Sequence, residues 1–342
     1  MLIIEKTACA RAGLVGNPSD GYNGKTLAFS MKNFQAKVVL YEWEDVEMVQ
    51  TSLDQSRFSS VQDLVRDVKL HGYYGGMRLL KATVKKFVEY CENTRRTLHD
   101  RNFSVRYESN IPRQVGLAGS SAIIVATLRC LMEFYEIDIP LEVQPSLVLA
   151  VENEELGISA GLQDRVIQVY DGLVFMDFSK EKMRKIDGFD CGVYERLDPA
   201  LLPSLYVAYN PDVSEPGEIF HNDLRGRFLR NESDVVQAMQ TFARLAEEAR
   251  QALLTNDPQR LRDCINENFN TRLAICRLPE KQKRMVDVSQ ETGASAKFAG
   301  SGGAIVGTYQ GEAMYAELER ILDDIDCAII KPEIRQPQNE ES

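Results

Sequence analysis

"NIPRQVGLAGSSAIIVATL", residues 110–128, runs a strand end into a stretch of small residues and then into an apolar helix, and the fold turns on that junction. The strand ends at Pro112. Gly116 and Gly119 let the backbone turn with its N–H groups inward, and a helix begins near Ser120 as "SSAIIVATLRCLMEFY", apolar almost all round and therefore buried. Free N–H groups at a helix start, with about half a positive charge from the macrodipole, make an anion site out of backbone. The residues of that site are Gly116, Leu117, Ala118, Gly119, Ser120, Ser121 and Ala122. Ser120 and Ser121 set hydroxyls where phosphate oxygens or a Mg²⁺ would sit, since Mg²⁺ takes oxygen ligands and bridges substrate phosphates. The same letters also suit a plain glycine turn with a serine cap ahead of a core helix.

Outward from this loop, a second glycine cluster, "KFAGSGGAIVGTY" (297–309), lies between two short strands in the other half of the chain. Gly300, Ser301, Gly302 and Gly303 permit close approach of backbone to a ligand or to another loop, and equally a tight hairpin. Two such loops imply a cleft that clasps a nucleotide from both sides. Alternation in "QAKVVLYEW" (35–43) and "FSVRYES" (103–109) gives strands, and "GMRLLKATVKKFVEYC" (76–91) has helical spacing. "YDGLVFMDFS" (170–179) is a turn and then a strand, and the polar "KEKMRKIDGFD" after it marks the edge of a first domain, residues 1–190. The second domain, 191–335, is more helical. Ser233 caps one helix, Pro258 opens the next and Gly293 closes a third; residues 336–342 form a polar, disordered tail. The architecture is α+β.

Composition narrows the function. A net charge of −11 weighs against a nucleic-acid surface, and no apolar run is long enough to span a membrane. The opening "MLIIEKTACARAGL" is broken by Glu5 and Lys6 and reads as a strand rather than a signal peptide, so a cytoplasmic protein is expected. Seven cysteines without a CxxC pair fit reduced thiols, and three isolated histidines argue against a dedicated metal cage. "GNPSDGYNGKT" (16–26) ends like a Walker phosphate loop, but Ser19 stands where that pattern needs glycine. A true Walker loop also demands a helix after it, whereas "KTLAFSM" alternates like a strand.

Three segments in order, "ARAGLVGNPSDGYNGK", "PRQVGLAGSSA" and "KFAGSGGA", resemble the three motifs of the GHMP kinase superfamily. Within it the chain is more similar to plant-type glucuronokinases, through "YYGGMRLLKA", "ELGISAGLQDRVIQVYDGLVFMDF" and "ASAKFAGSGGA" as well. The second motif carries one extra residue, Ala118, which leaves the hydroxyl positions of that loop open by one place. The resemblance spans about residues 8–310. It implies a ribosomal-protein S5-like N-terminal domain, a ferredoxin-like C-terminal domain, and transfer of the ATP γ-phosphoryl group to the anomeric hydroxyl of D-glucuronate, with Mg²⁺.

The resemblance also implies roles. Asp164 in "SAGLQDRV" takes the catalytic aspartate's place and Arg11 that of its basic partner, so Asp164 should have a lowered pKa. The metal carboxylate falls on Glu152, with Ser121 supplying a hydroxyl; Glu154 and Glu155 compete for that place. Asp20 matches a position that holds sugar hydroxyls, and Tyr22 and Asn23 can add contacts. A uronate carboxylate calls for Arg or Lys, and Lys25, Arg113, Arg165, Arg225 and Arg227 are candidates. The partners implied are a small-molecule sugar acid and ATP. Another sugar 1-kinase, acting on galacturonate, arabinose, fucose, galactose or a heptose, and a catalytically silent sugar sensor of the same fold remain open.

Overall fold

The computed structural model describes residues 2–49, 75–211 and 218–335; the tail expected at 336–342 lies outside them. Two long antiparallel strands, β1 (Ile3–Val15) and β2 (Lys25–Trp43), pair from Ile3↔Tyr41 to Val15↔Leu27. β1 does not alternate. Ala8, Cys9, Ala10, Arg11 and Ala12 are all buried, because the strand is covered on both faces and small side chains let both layers come close. A 3₁₀ turn (Ser19–Tyr22) joins the two strands, and Lys25 then enters β2 directly. A strand stands where a Walker loop requires a helix, which excludes that reading.

β3 (Glu47–Met48), β4 (Asn102–Ser109), β5 (Leu173–Asp177) and β8 (Val193–Leu197) complete the first sheet in the order β3-β4-β2-β5-β8, with β1 on β2. The hairpin β6 (Arg184–Ile186) and β7 (Phe189–Cys191) stands apart from it. Helices α1 (Gly76–Asn93) and α2 (Gly119–Phe134) pack together, and α2 covers β1 and β2. α3 (Val143–Ala150) runs into a π turn (Val151–Glu155), and α4 (Gln163–Tyr170) follows.

The second sheet is antiparallel, in the order β10-β11-β9-β12, from β9 (Leu205–Tyr209), β10 (Lys297–Phe298), β11 (Ala304–Thr308) and β12 (Ala328–Ile330). Between β9 and β10 come α5 (Glu218–Leu229), α6 (Ser233–Leu254), α7 (Pro258–Ile275) and α8 (Glu280–Glu291); α9 (Gly311–Asp323) joins β11 to β12. The βαββαβ layout is the ferredoxin-like one that the resemblance implies, and the α+β class agrees with the sequence. Pro258 opens α7 behind Asp257, whose carboxylate accepts from the Arg260 N–H at 2.9 Å, and Gly293 follows α8 at φ +92°. Ser233 is the first residue of α6 rather than its cap, with Glu232 at the cap position. The largest apolar cluster joins Leu14, Phe29, Ile124 and Ile167 to Leu245, Ala249, Ile265 and Val306, so one core runs through both halves. A smaller cluster around Tyr206, Phe269, Phe298 and Leu318 lies under the second sheet.

Candidate active site

The loop between β4 and α2 turns through Gly116 (φ 73°) and Ala118 (φ 64°), both left-handed. Its carbonyls are tied down. Arg11 donates from Nη1 to Gly116 O at 2.6 Å, and Gln168 donates to Ala118 O at 2.8 Å. The backbone N–H groups from Gly116 to Ser121 take no partner among the described residues, the condition of an anion cradle at a helix N-terminus. The second glycine loop closes onto the first: a Cβ on Gly116 would lie 2.5 Å from Gly302 O, and one on Gly300 would lie 2.4 Å from Gly116 O. Only glycine permits that approach. Arg272 in α7 holds the second loop by its carbonyls, Gly300 O at 2.8 Å and Ser301 O at 2.6 Å.

Beneath the loops lies Lys297, buried, donating to Gly13 O and Asn17 Oδ1 at 2.5 Å each and to Phe298 O at 2.8 Å. Burial, then the Arg272 and Arg11 charges, hold its ammonium well below the usual lysine range. Burial also brings Arg272 down to about 10. Arg272, charged and bonded to carbonyls of the second loop, gives the floor of the cradle a positive bias that suits an anion.

Asp164 is the second residue of α4, and Arg11 reaches it from β1. The pairing is bidentate, Nε to Oδ1 at 2.5 Å and Nη2 to Oδ2 at 2.6 Å. Burial pushes the Asp164 carboxyl up, but the Arg11 charge and its hydrogen bonds, helped by Arg165, outweigh burial and leave it below the usual range. Arg165 turns inward, donating from Nε to Glu152 Oε2 at 2.5 Å and from Nη1 to Gly161 O at 2.8 Å. The π turn separates three acids. Glu152 is 1 % exposed, whereas Glu154 pairs with Lys86 at 2.8 Å and Glu155 with Lys85 at 2.5 Å. Burial raises the Glu152 pKa, with Arg165 opposing. Both guanidinium contacts go to Oε2, and Oε1 takes no hydrogen bond among the described residues. Ser121 is buried with a single long contact, 3.3 Å to Ala118 O. A carboxylate oxygen and a hydroxyl left uncommitted in this way are the hard donors that Mg²⁺ takes.

The 3₁₀ turn brings Asp20 to α4, where its Oδ2 accepts the Gln163 N–H at 3.2 Å. Gly161 makes room for it, since a Cβ there would lie 2.0 Å from that oxygen. Burial, and then the Asp164 charge, push Asp20 up to about 6. Tyr22 packs edge-on against Phe228 of α5 at 4.9 Å, and burial with the Asp20 charge pushes its hydroxyl up to about 12. Asn23, left-handed at φ 58°, closes the turn by donating its N–H to Ser19 O. Lys25 is held away by Glu247 at 3.0 Å and Asp177 at 3.4 Å.

The structure therefore brings Arg11, Asp164, Asp20 and both glycine loops together, and it engages Lys25 and Arg165 with acids of the protein itself. Gly161, Gln163, Gln168, Arg272 and Lys297 also build the site and were not singled out in the sequence. Arg272 left a trace there: it continues the buried face of Ile265 and Phe269, and a charge on an apolar face announces a partner.

Residues 78–172 match the family model described as "GHMP kinases N terminal domain". The chain is 45 % identical over 313 residues to "Probable glucuronokinase 2" of Arabidopsis thaliana, covering 89 % of this chain and 84 % of that one. It is 44 % identical over 310 residues to "Glucuronokinase 1" of the same plant, with the same coverage. Among solved structures, Lactococcus lactis galactokinase complexed with galactose superposes with a TM-score of 0.75 at 13 % identity, covering 97 % of this chain and 93 % of that one, a likeness of fold.

Proposed function

The chain belongs to the glucuronokinase family of the GHMP kinases, and from that membership and the site's geometry we propose that it phosphorylates the anomeric hydroxyl of D-glucuronate, giving glucuronate 1-phosphate and ADP. It is an ATP-dependent sugar kinase, a phosphotransferase with an alcohol acceptor. The observation that carries the proposal is the bidentate Arg11–Asp164 pair, set between two glycine loops and the Asp20 turn. The uncommitted N–H groups of 116–121 receive phosphate oxygens, and Gly300 to Gly303 close over them. Ser121 and Glu152 would hold Mg²⁺, which when bound neutralises charge on the β- and γ-phosphates.

Asp164, ionised at neutral pH, accepts a hydrogen bond from the sugar hydroxyl, orients it toward the γ-phosphorus and takes its proton late. Phosphoryl transfer has a loose transition state, so positioning counts for more than early proton removal. Arg11 fixes the carboxylate and offsets the charge that develops on the moving group. Asp20 accepts from a ring hydroxyl of the sugar. The cysteines, free and mostly buried, suit a cytoplasmic enzyme.

Release of ADP, measured against a panel of uronic acids and neutral sugars, tests the proposal. Glucuronate should be the best acceptor, and Asp164→Asn should lower kcat roughly 10²- to 10⁴-fold with folding intact. A neutral sugar turned over better than glucuronate would overturn the substrate, and full activity in Asp164→Asn would overturn the mechanism.

A further inference from the structure

A uronate carries one full negative charge that a neutral hexose lacks, and Asp20 and Asp164 make this cleft a poor place for it without a cation. Most basic side chains around the cleft are already committed. Arg11 belongs to Asp164, Arg165 to Glu152, and Lys25 to Glu247 and Asp177. Arg227 donates to Glu232, Asp234 and Ile275 O. Arg272 and Lys297 are spent on backbone carbonyls beneath the loops. Arg113 stands three residues before Gly116, on the phosphate side.

Arg225 is different. It is exposed on α5 and makes no hydrogen bond or ion pair among the described residues. It lies three residues before Phe228, hence on the same face of the helix, and Phe228 is the ring that packs on Tyr22 at 4.9 Å. Tyr22 in turn shares the 3₁₀ turn with Asp20, whose Oδ2 accepts from Gln163 beside Asp164. The Arg225 charge is felt at the Tyr22 hydroxyl, which agrees with that placement. A free guanidinium is thus set beside the turn that carries Asp20 and Tyr22. Its fork matches a carboxylate in two parallel hydrogen bonds.

We propose that Arg225 binds the substrate carboxylate and sets the preference for a uronic acid over a neutral sugar. This rests on the glucuronate reading above. Wild type, Arg225→Gln and Arg225→Lys are assayed with ATP against glucuronate and against glucose, whose ring is the same without the carboxylate. The Gln variant should raise KM for glucuronate roughly 10- to 100-fold, with kcat at saturation and KM for ATP near wild type. Its preference for glucuronate over glucose should shrink by a similar factor, and Lys should restore part of both. Arg225 is exposed, so melting temperatures should match; if the Gln variant does not fold, the same readouts are taken on Lys, which should show a smaller shift in the same direction. An unchanged KM for glucuronate, or a rise in the KM for ATP of equal size, overturns this role while leaving the uronate reading intact. Wild type that fails to phosphorylate glucuronate overturns the reading itself.

Discussion

Asp164 and Asp20 are carboxyl groups of one cleft held on opposite sides of their ordinary range. A guanidinium clasps Asp164, whereas Asp20 has one backbone N–H and a like charge nearby. The consequence for stability has a definite sign. Between its unfolded value of 3.8 and its folded value of about 6, native Asp20 keeps a proton that the unfolded chain has lost, so this group's contribution falls as pH rises through that window. Asp20→Asn should therefore be more stable than wild type at pH 7.5 by on the order of 1–2 kcal/mol, after discounting for solvent in the cleft, with the gap closing toward pH 4. Urea melts at the two pH values check this, and the same variant should bind the sugar less well. An equal gap at both pH values would mean that the side chain acts by packing instead. The sequence offered Asp164, Arg11 and Asp20 as letters in motifs. It did not reveal that Arg165, a candidate for the substrate, is bound to Glu152, because that ion pair depends on how a π turn aims a side chain.

The two glycine loops are the elements to which the proposed function gives nucleotide binding, and their glycines were legible because a missing Cβ is a sequence fact. Their mutual contact was not, since nearly two hundred positions of chain separate Gly116 from Gly300. Gly300 is the sharper probe. An added methyl would meet Gly116 O at 2.4 Å and the Arg11 Nη atoms at 2.9 Å, so one loop must give way. Gly300→Ala should cost about 1–3 kcal/mol in stability by overpacking and raise KM for ATP at least tenfold, with a smaller change for the sugar. Thermal melts and initial rates at varied ATP measure both, and a normal KM for ATP would show that the loops need not touch. The left-handed Ala118 was harder to foresee, because that conformation ordinarily goes to glycine or asparagine and the residue type gave no hint of it.

At the scale of the molecule, the composition and periodicities gave the α+β class, but not the seam between the two sheets. β1 lies along that seam: Gly13 N–H donates to Ala299 O at 2.8 Å, and Gly16 N–H donates to Asn268 Oδ1 at 2.6 Å. With a core that crosses the same line, the halves should not melt apart. Calorimetry should record one cooperative transition, coincident by near- and far-ultraviolet circular dichroism, and two resolved transitions would overturn that expectation. The seam also bears on synthesis. Lys297 reaches Gly13 across 284 positions, so the floor beneath the two glycine loops is assembled from segments translated far apart in time. A nascent chain leaving the ribosome must hold its first strand, small-sided and apolar, without its closing lysine until most of the protein has been made. Folding should accordingly be slow and late, and chaperone capture of the early strand is the vulnerability that this arrangement creates.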